Sequence, residues 1–375
     1  MTSEWKTSPL RDLVGFISKG IAPSYADEES ETTVRVLNQK CNRNFRITYS
    51  ESRLHDLARK KVPAERFVRI DDILINSTGA GTAGRIAQIC NLPCDTIVDG
   101  HMIIIRANDK VSQKYLGYAM KAHQWEVLQL DEGSTGQTEL NRERLLDEIM
   151  ISYPTSFSLQ EMVVKTLEGI DQKLLINEKV NDNLQQQAQA IYSSMFIDNP
   201  DPAWSHGHLS DLITIKYGKD HKKLADGIYP VYGSGGIMRY VERPLYNKES
   251  VLIPRKGTLN NVMYVNQPFW SVDTMFYTEM KLPNVAKFVY HFVKAKDLAS
   301  MNAGSAVPSM TTDILNAMEV VIPSASALEE FESLVAPMYE AMEANDVQSK
   351  ALSQMRDTLL PKLMSGEIDV SDIQL

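Results

Sequence analysis

The sequence is poor in cysteine and contains no long run of apolar residues. Its three cysteines, Cys41, Cys90 and Cys94, form neither an even disulfide framework nor a paired zinc motif. No stretch approaches the ~18 apolar residues of a membrane helix, and the N-terminus shows no apolar signal segment. These absences argue against a disulfide-stapled secreted domain and against a membrane protein. They predict a cytoplasmic chain with reduced thiols.

The sequence also lacks the common catalytic motifs. It has no G-x-S-x-G nucleophile elbow, no Walker loop and no [NDS]-P-P-[YFW] motif of amino-methyltransferases. Gly79-x-Gly81-x-x-Gly84 has the spacing of a dinucleotide fingerprint, but the residues after Gly84 favour a strand where that motif requires a helix. We therefore expect a strand-connecting loop there, and no catalytic residue, metal or cofactor in the chain itself.

Two small clusters contain residue types that bind metals. Asp273, Glu279 and Lys281 could serve a Mg²⁺-dependent nuclease, although their spacing is tight and a strand with solvent-facing charges explains them more simply. His206 and His208 have no third ligand nearby in the sequence and are expected in an exposed loop. A stand-alone nuclease stays open as an alternative at this point.

Charge is unevenly distributed along the chain. The 39 basic and 48 acidic residues give a net charge of −9 and a pI near 5.4, which argues against a polyanionic partner. The net charge is −1 over residues 1–155, −3 over 156–200, +2 over 201–323 and −7 over 324–375. Most of the acidity therefore lies outside the two large segments.

Each of those large segments contains a basic stretch. Residues 35–69 hold ten Lys and Arg against three acidic residues, and residues 216–256 hold nine against four. One such stretch in each half favours contact with a polyanion such as nucleic acid. The alternative is a pair of solvated faces whose counter-charges come from elsewhere in the fold.

The second half of the chain repeats the first. Trp5-x4-Leu-x-Asp-Leu13 returns as Trp204-x4-Leu-x-Asp-Leu212, and further matches follow in the same order while the offset falls from 199 to about 169. The further matches are Asp72–Asn76 and Gly81-Thr82 with Ser250–Pro254 and Gly257-Thr258, Val98-Asp99 with Val272-Asp273, Gly133-Ser134 with Gly304-Ser305, and Ile149–Pro154 with Met318–Pro323. We predict two copies of a domain followed by a helix, with segments 1–155, 156–200, 201–323 and 324–375.

The segments 156–200 and 324–375 have the heptad spacing of long helices. The first apolar seam contains Val163, Leu167, Ile170, Leu174, Asn177, Asn181, Leu184, Ala188, Ile191 and Met195, and the second contains Phe331, Val335, Met338, Met342, Asn345, Ser349, Leu352, Leu359 and Leu363. At ~1.5 Å per residue, a helix over 159–196 would span roughly 57 Å. Two such acidic stripes, each following a duplicated domain, favour pairing with each other over two ordinary core helices.

Two positions of this helix pair are unusual. The helices align with an offset of 168, which places Asn177 at the position of Asn345, and buried Asn in a seam fixes register at a cost in stability. We therefore predict that Asn177 and Asn345 set the register of the pair. Pro337 removes a helix hydrogen bond and is expected to kink or break the second helix.

The two domains are expected to be α+β. Short β-rich runs with turn residues between them occur at 72–76, 85–89, 102–106, 250–254, 261–265 and 275–279, whereas 114–130 and 286–300 have helical character. The alternating βα rhythm of a doubly wound sheet is missing. The whole fold is therefore predicted as two α+β domains separated by two long helices packed as an antiparallel coiled coil, with an internal pseudo-twofold duplication.

Loops in both domains contain the side chains that contact nucleic acid. Lys and Arg bind phosphates, Arg also pairs with guanine, and Asn pairs with adenine. Such residues are concentrated in Asn42–Tyr49, Asn76–Thr82, Tyr229–Tyr240 and Arg255–Asn261. The candidate DNA-binding residues are Arg43, Arg46, Tyr49, Arg53, Asn76, Thr78 and Arg85 in the first domain, and Lys216, Lys219, Tyr232, Ser234, Arg239, Tyr240, Arg255, Lys256 and Asn260 in the second.

Over its whole length the chain resembles the specificity subunit of Type I restriction-modification systems. The motifs that carry the resemblance are Trp204–Leu212, Ile228–Ile237, Val251–Thr258, Gly304–Ser309, Ile322-Pro323, Leu328–Phe331 and Leu359–Ile368. The first half departs from the pattern. It has Ile21–Tyr25 and a long basic insertion in place of the Tyr-Gly-Ser-Gly-Gly loop, and Thr135-Gly-Gln-Thr138 in place of Ala306-Val-Pro-Ser309.

The resemblance implies a non-catalytic subunit that recognises double-stranded DNA. Each domain would bind one half of a bipartite, asymmetric target, while the helices set the spacing and dock two modification (methyltransferase) subunits. Restriction subunits with translocase and nuclease activity join some such complexes, and S-adenosylmethionine, Mg²⁺ and ATP would belong to the partners. The main alternative is a structural coiled-coil scaffold whose domains bind proteins.

Overall fold

The computed structural model describes residues 4–132, 139–301 and 309–370. The repeat matches at Gly133-Ser134 and Gly304-Ser305, and the stretches 135–138 and 306–308, lie outside these residues. The chain divides into two compact units: the first is Met1–Ile176 with Gln348–Leu375, and the second is Asn177–Val347. No helix among the described residues is long and apolar enough to cross a membrane.

The first domain is built around a four-stranded antiparallel sheet. Its strand order is Val14–Lys19, Met102–Ala107, Ile73–Asn76, Ile86–Gln88. Ile73 and Ile75 pack against the helix Gln113–Ala122, whereas Leu74 packs on the opposite face against Leu37 and Val98. Because both faces are covered, the central strands are continuous apolar runs.

A second sheet and several short elements complete this domain. The second sheet has the order Thr96–Val98, Thr33–Leu37, Arg53–Asp56, Tyr25–Ala26, and its first pair is parallel. The remaining strand pairs are Trp5–Pro9 with Met150–Pro154, Asn42–Arg43 with Arg46–Ile47, and Asp131–Glu132 with Glu139–Leu140. The remaining helices are Gln124–Leu128 and Arg142–Glu148, with 3-10 turns at Leu10–Leu13, Gln39–Cys41 and Ala64–Arg66.

The second domain repeats this plan. Its four-stranded antiparallel sheet has the equivalent order Ile213–Tyr217, Met275–Met280, Ser250–Pro254, Met263–Val265. The smaller sheet has the order Gly236–Val241, Asp226–Gly233, Trp270–Ser271, and a further pair joins Ser205–His208 to Glu319–Ile322. Its helices are Leu209–Leu212, Ala286–Lys294 and Thr312–Asn316. The predicted α+β duplication is confirmed.

Two long helices follow the domains. The central helix is Phe157–Ser193, continued by a π-helical turn at Ser194–Asp198, and the C-terminal helix is Ala325–Ser365. In the second unit Asn177 contacts Asn345 while Asn181 contacts Met342, so rising numbers on one helix meet falling numbers on the other. In the first unit Val163 and Leu167 pack in one core with Leu363. The helices are therefore antiparallel, as predicted.

Two local features differ from what the sequence predicted, the absence of a break at Pro337 and the strand at His206 and His208. The C-terminal helix is unbroken through Pro337, whose side chain is exposed, so water can reach the backbone carbonyl that loses its partner. Phe331 and Val335 are buried in the core of the second unit and hold that part of the helix in place. His206 and His208 lie in a strand paired with Glu319–Ile322, where an exposed loop was expected.

Candidate nucleic-acid interface

Residues 42–47, within the basic stretch of the first domain, form a tight hairpin. Asn42–Arg43 pairs with Arg46–Ile47, and the two turn residues, Asn44 and Phe45, have φ of 52° and 60°. Left-handed conformation at both positions is typical of a type I′ turn, which suits the twist of two antiparallel strands. Arg43 and Arg46 are exposed cross-strand partners, so their side chains lie on the same face.

Two further cations of this domain are held by neighbouring groups. The guanidinium of Arg53 stacks over the ring of Tyr25, with its Cζ 3.4 Å from the ring centroid. Arg85 donates to the backbone oxygen of Gly81 at 3.1 Å. These contacts hold the guanidinium groups of Arg53 and Arg85 in defined orientations.

The glycine motif is a strand connection. Gly79, Gly81 and Gly84 all have positive φ, at 114°, 68° and 82°. They connect the strand Ile73–Asn76 to the strand Ile86–Gln88, so no helix begins at the glycines. This agrees with the loop predicted from the sequence.

The structure contradicts one DNA-binding candidate of the first domain and gives two others internal partners. Asn76 is fully buried, accepts from Asn42 Nδ2 at 3.2 Å and donates to Gln39 O at 3.1 Å, so it fixes the base of the hairpin and cannot reach a groove. Thr78 Oγ1 contacts His101 Nδ1 at 2.7 Å. The Tyr49 hydroxyl bonds Thr96 at 3.1 Å, and burial raises its pKa.

In the second domain the fold brings two separate loops together. Asn261 Nδ2 donates to the backbone oxygen of Ser234 at 2.8 Å, which holds the loop Arg255–Asn261 against the glycine-rich turn. Gly257 has a φ of 88°, and a Cβ there would lie 2.6 Å from Ser234 Oγ. The positive φ therefore favours glycine at this position, and a larger side chain would also require the Ser234 hydroxyl to move. Folding therefore brings the turn at Ser234 to the loop that contains Arg255 and Lys256, although the two are far apart in sequence.

Arg255 is oriented by its neighbours. Its Cζ lies 5.3 Å from the centre of the Tyr217 ring, and its Nη1 donates to the backbone oxygen of Asp273 at 3.3 Å. Lys256 is exposed beside it. Tyr217 and Tyr25 were missed as candidates, although an aromatic residue close to a cluster of Lys and Arg was the available signal.

The hairpin of residues 226–241 contains further candidates. Arg239 Nη2 donates to Asp226 Oδ1 at 2.8 Å and to Leu224 O at 2.9 Å, and Tyr240 is exposed. Lys219 is also exposed, whereas Lys216 pairs with Glu279 at 3.7 Å. These side chains remain accessible to a partner at the surface.

Two candidates of the second domain have structural roles. Tyr232 is buried on Phe269, accepts from Gln267 Nε2 at 3.3 Å and has a pKa raised by burial, which gives it a role in the core of the smaller sheet. Asn260 is exposed, but its Nδ2 donates to Asp297 Oδ1 at 3.0 Å and its Oδ1 accepts from Ala299 N at 2.9 Å. Its amide therefore stabilises the neighbouring loop at residues 297–299.

The proposed nuclease residues do not form a carboxylate pair. Glu279 faces Lys216, and Lys281 Nζ donates to the backbone oxygen of Ser210 at 2.6 Å. Within residues 4–132, 139–301 and 309–370, no group of three His, Cys, Asp or Glu side chains could hold a metal ion. The described geometry therefore gives this alternative no support.

The two seam asparagines lie in one polar cluster of the second unit. Asn177 is buried, and its Nδ2 lies 3.4 Å from the backbone oxygen of Asn345. Asn345 Nδ2 donates to Asn181 Oδ1 at 2.8 Å, and Asn181 Nδ2 donates to Asp346 Oδ1 at 2.8 Å. The structure therefore brings the predicted register residues together.

Comparison with known proteins identifies the two domains. Residues 2–186 and 203–331 match the family model of the Type I restriction modification DNA specificity domain. The chain belongs to this family. Each match covers one copy of the duplication, so the chain has two DNA specificity domains. The family and the DNA-recognition role expected from the sequence are confirmed.

Relatives of this specificity protein match most of its length. It is 24% identical over 310 residues to the Type I restriction enzyme MjaIX specificity subunit of Methanocaldococcus jannaschii, with 71% of each chain covered. It is 23% identical over 270 residues to a putative type I specificity subunit of Mycoplasma genitalium, with 67% of this chain and 70% of that one covered. The crystal structure of the S subunit from M. genitalium shares the fold, with a TM-score of 0.59, 17% identity and coverage of 97% and 96%.

Proposed function

We propose that this chain is the non-catalytic DNA-recognition subunit of a Type I restriction-modification complex. Each specificity domain binds one half of a bipartite, asymmetric target. The paired helices set the spacing and dock two modification subunits and, where a complex contains them, restriction subunits. Adenine methylation and DNA cleavage, with S-adenosylmethionine, Mg²⁺ and ATP, belong to those partners. The observation that carries the proposal is an exposed cationic loop in each copy of the duplicated DNA specificity domain.

The hairpin of the first domain is suited to a polyanion. Arg43 and Arg46 are direct cross-strand partners, so two exposed guanidinium groups lie on the same face of the hairpin. Guanidinium groups bind phosphate oxygens through charge-assisted hydrogen bonds, and the release of counterions from DNA adds to the binding free energy. Binding through this hairpin is therefore expected to weaken steeply with salt.

The loop of the second domain is suited to a base edge. The planar guanidinium of Arg255 is oriented by Tyr217 and by the backbone of Asp273. A pre-oriented guanidinium can donate two parallel hydrogen bonds to guanine O6 and N7. Lys256, exposed beside it, suits a phosphate.

The two domains differ where they would contact DNA. The first uses the hairpin at residues 42–47, whereas the second combines the turn at Ser234 with the loop at Arg255. Side chains of different type and position recognise different bases. This difference supports an asymmetric target with two unlike halves.

The helices support the proposed control of spacing. The central helix has 37 residues and the C-terminal helix has 41. At ~1.5 Å per residue these are rods of roughly 55 to 60 Å, longer than the core of a small domain requires. We infer that the number of helical turns determines the number of base pairs between the two half-sites.

A binding selection with the assembled complex tests the proposal. The full chain is combined with its modification subunits, random duplex DNA is selected for binding, and the selected site is footprinted. Two conserved blocks at a constant separation support the proposed function. Bound DNA without any common sequence, or capture of proteins with no protected DNA, favours the scaffold alternative and rejects the proposal.

A further inference from the structure

The turn of the first-domain hairpin contains an unusual residue. Phe45 has a φ of 60° at the second turn position, where type I′ turns commonly have glycine. A bulky side chain in left-handed conformation is uncommon and is retained where its surroundings hold it. Asn44, at the first position, is a residue type that tolerates this conformation. The ring of Phe45 is therefore expected to have a role beyond the turn itself.

The ring lies on the body of the domain. Phe45 is half-buried and lines a small cleft together with Gln88, Gly117 and Tyr118, and the Nζ of Lys121 lies 5.1 Å from the ring centroid. A cation at that distance from a ring attracts it. The neighbouring Arg43 and Arg46 are exposed. The tip of the hairpin is thus anchored through its apolar residue while its two arginines remain accessible.

The cation that holds the ring is itself fixed. The side chain of Lys121 is 12% exposed, and its Nζ lies 3.4 Å from Asp171 Oδ2 on the central helix. Tyr118 Oη donates to the same oxygen at 3.0 Å, and Arg356 Nη1 of the C-terminal helix donates to Asp171 Oδ1 at 3.1 Å. Three side chains, Tyr118, Asp171 and Arg356, from three helices therefore hold Lys121 in one place within the first unit.

We propose that Phe45 is a positioning residue for DNA recognition by the first domain. Its ring, seated on Lys121, fixes the orientation of the hairpin at residues 42–47 and so of Arg43 and Arg46 at the first half-site. This inference rests on the proposed function, because it assigns a role within the recognition of DNA.

The sharpest variant is Phe45→Gly. Glycine is favoured at this turn position, so the hairpin keeps its turn while it loses its anchor. We expect the complex with modification subunits to bind its complete target about tenfold weaker, within the range for loss of one base-specific contact. Scrambling the first half-site should then reduce the affinity of the variant little further. Scrambling the second half-site should reduce it as much as in the wild type.

Two companion variants separate positioning from folding. Phe45→Tyr keeps the ring and should restore both affinity and dependence on the first half-site. Trp125→Ala changes another aromatic residue of the same domain, 74% exposed and outside the candidate contacts, and should behave as the wild type. Circular dichroism of each full chain checks the fold.

The experiment measures the affinity of each complex for the complete target, for DNA with the first half-site scrambled and for DNA with the second half-site scrambled. Loss of discrimination at the first half-site alone in Phe45→Gly, with rescue in Phe45→Tyr, supports the proposal. Full discrimination in Phe45→Gly overturns it and leaves the proposed function intact. A wild-type complex that ignores both scrambled halves overturns the proposed function and this inference together. Failure of Phe45→Gly to fold, seen as loss of its circular dichroism signal, also overturns it.

Discussion

Asn177 and Asn345, which occupy equivalent positions of the two repeats, meet each other in the folded chain, with Asn177 Nδ2 3.4 Å from Asn345 O. Residues related by the duplication therefore contact each other where the two antiparallel helices pack within the second unit. Other positions of the central-helix seam, such as Leu174 and Ala188, are apolar and buried. A polar contact at this position favours one alignment of the two helices over shifted ones.

Replacing this contact should raise the free energy of unfolding and make the alignment of the two helices less specific. Asn177→Leu puts an apolar side chain into an apolar seam, and we expect the free energy of unfolding to rise by about 1 kcal/mol. The same change should allow shifted or intermolecular pairing of the helices. Urea unfolding and light scattering of the full chain measure the two effects. A less stable variant that stays monodisperse would contradict the register role.

The ion-pair cluster around Asp171 should contribute to the stability of the first unit. Asp171→Ala leaves Lys121 and Arg356, which are 12% and 17% exposed, without their shared carboxylate. We expect a loss of about 2 kcal/mol, reduced from the value for fully buried pairs because Asp171 retains some contact with solvent. Glu148→Gln, which breaks the exposed pair with Arg144, should cost less than about 0.5 kcal/mol. Equal losses in urea unfolding would rule out this role.

His291 should make stability depend on pH. It is fully buried, its Nδ1 lies 2.7 Å from Gln189 Oε1, and its Nε2 lies 2.9 Å from the Tyr339 hydroxyl. Burial, aided by Lys294, lowers its pKa from 6.5 to about 4. Between those values the unfolded chain binds the additional proton, so stability falls as pH falls through this range.

The contribution of His291 can be isolated by difference. Between pH 7 and pH 5 we expect the histidine to cost the wild type about 2 kcal/mol of unfolding free energy. In His291→Gln that part of the pH dependence should be missing, while the carboxylates titrate as before. Urea unfolding of both proteins at the two pH values gives the comparison. Parallel pH profiles would show that His291 does not carry the effect.

Arg255 and Lys256 should affect DNA binding in different ways. Arg255→Ala is expected to cost about 1 to 3 kcal/mol and to relax one base of the second half-site. Lys256→Ala should weaken all sequences alike and reduce the slope of log affinity against log salt by about 1. Binding across single-base variants and salt concentrations distinguishes them. Unchanged base preference in Arg255→Ala would remove it from the recognition site.

The sequence predicted those features of the fold that depend on repetition and periodicity. The duplicated strands, such as Ile73–Asn76 and Ser250–Pro254, and both long helices lie where their patterns indicated. Pro337 does not break the C-terminal helix, because the local loss of one hydrogen bond does not outweigh the packing of the rest of the helix.

The individual contact residues were less predictable. Asn76 and Tyr232 were chosen by residue type, but both lie in strands and are buried, Asn76 beside Asn42 and Tyr232 against Phe269. The loop at Arg255–Asn261 and the turn at Ser234, about twenty residues apart in sequence, meet in the folded chain through contacts such as the bond from Asn261 to Ser234. Side-chain direction in loops depends on such long-range contacts, which neither spacing nor composition encodes.

The central claim is that one chain recognises two unlike DNA half-sites with two separate domains. Its most direct test is sequencing of the DNA that the chain methylates together with its modification subunits, for the wild type, Arg43→Ala and Arg255→Ala. We predict two unlike blocks at a fixed separation, with the Arg43 variant relaxing one block and the Arg255 variant the other. A single contiguous block, or the same block altered by both variants, would contradict the account.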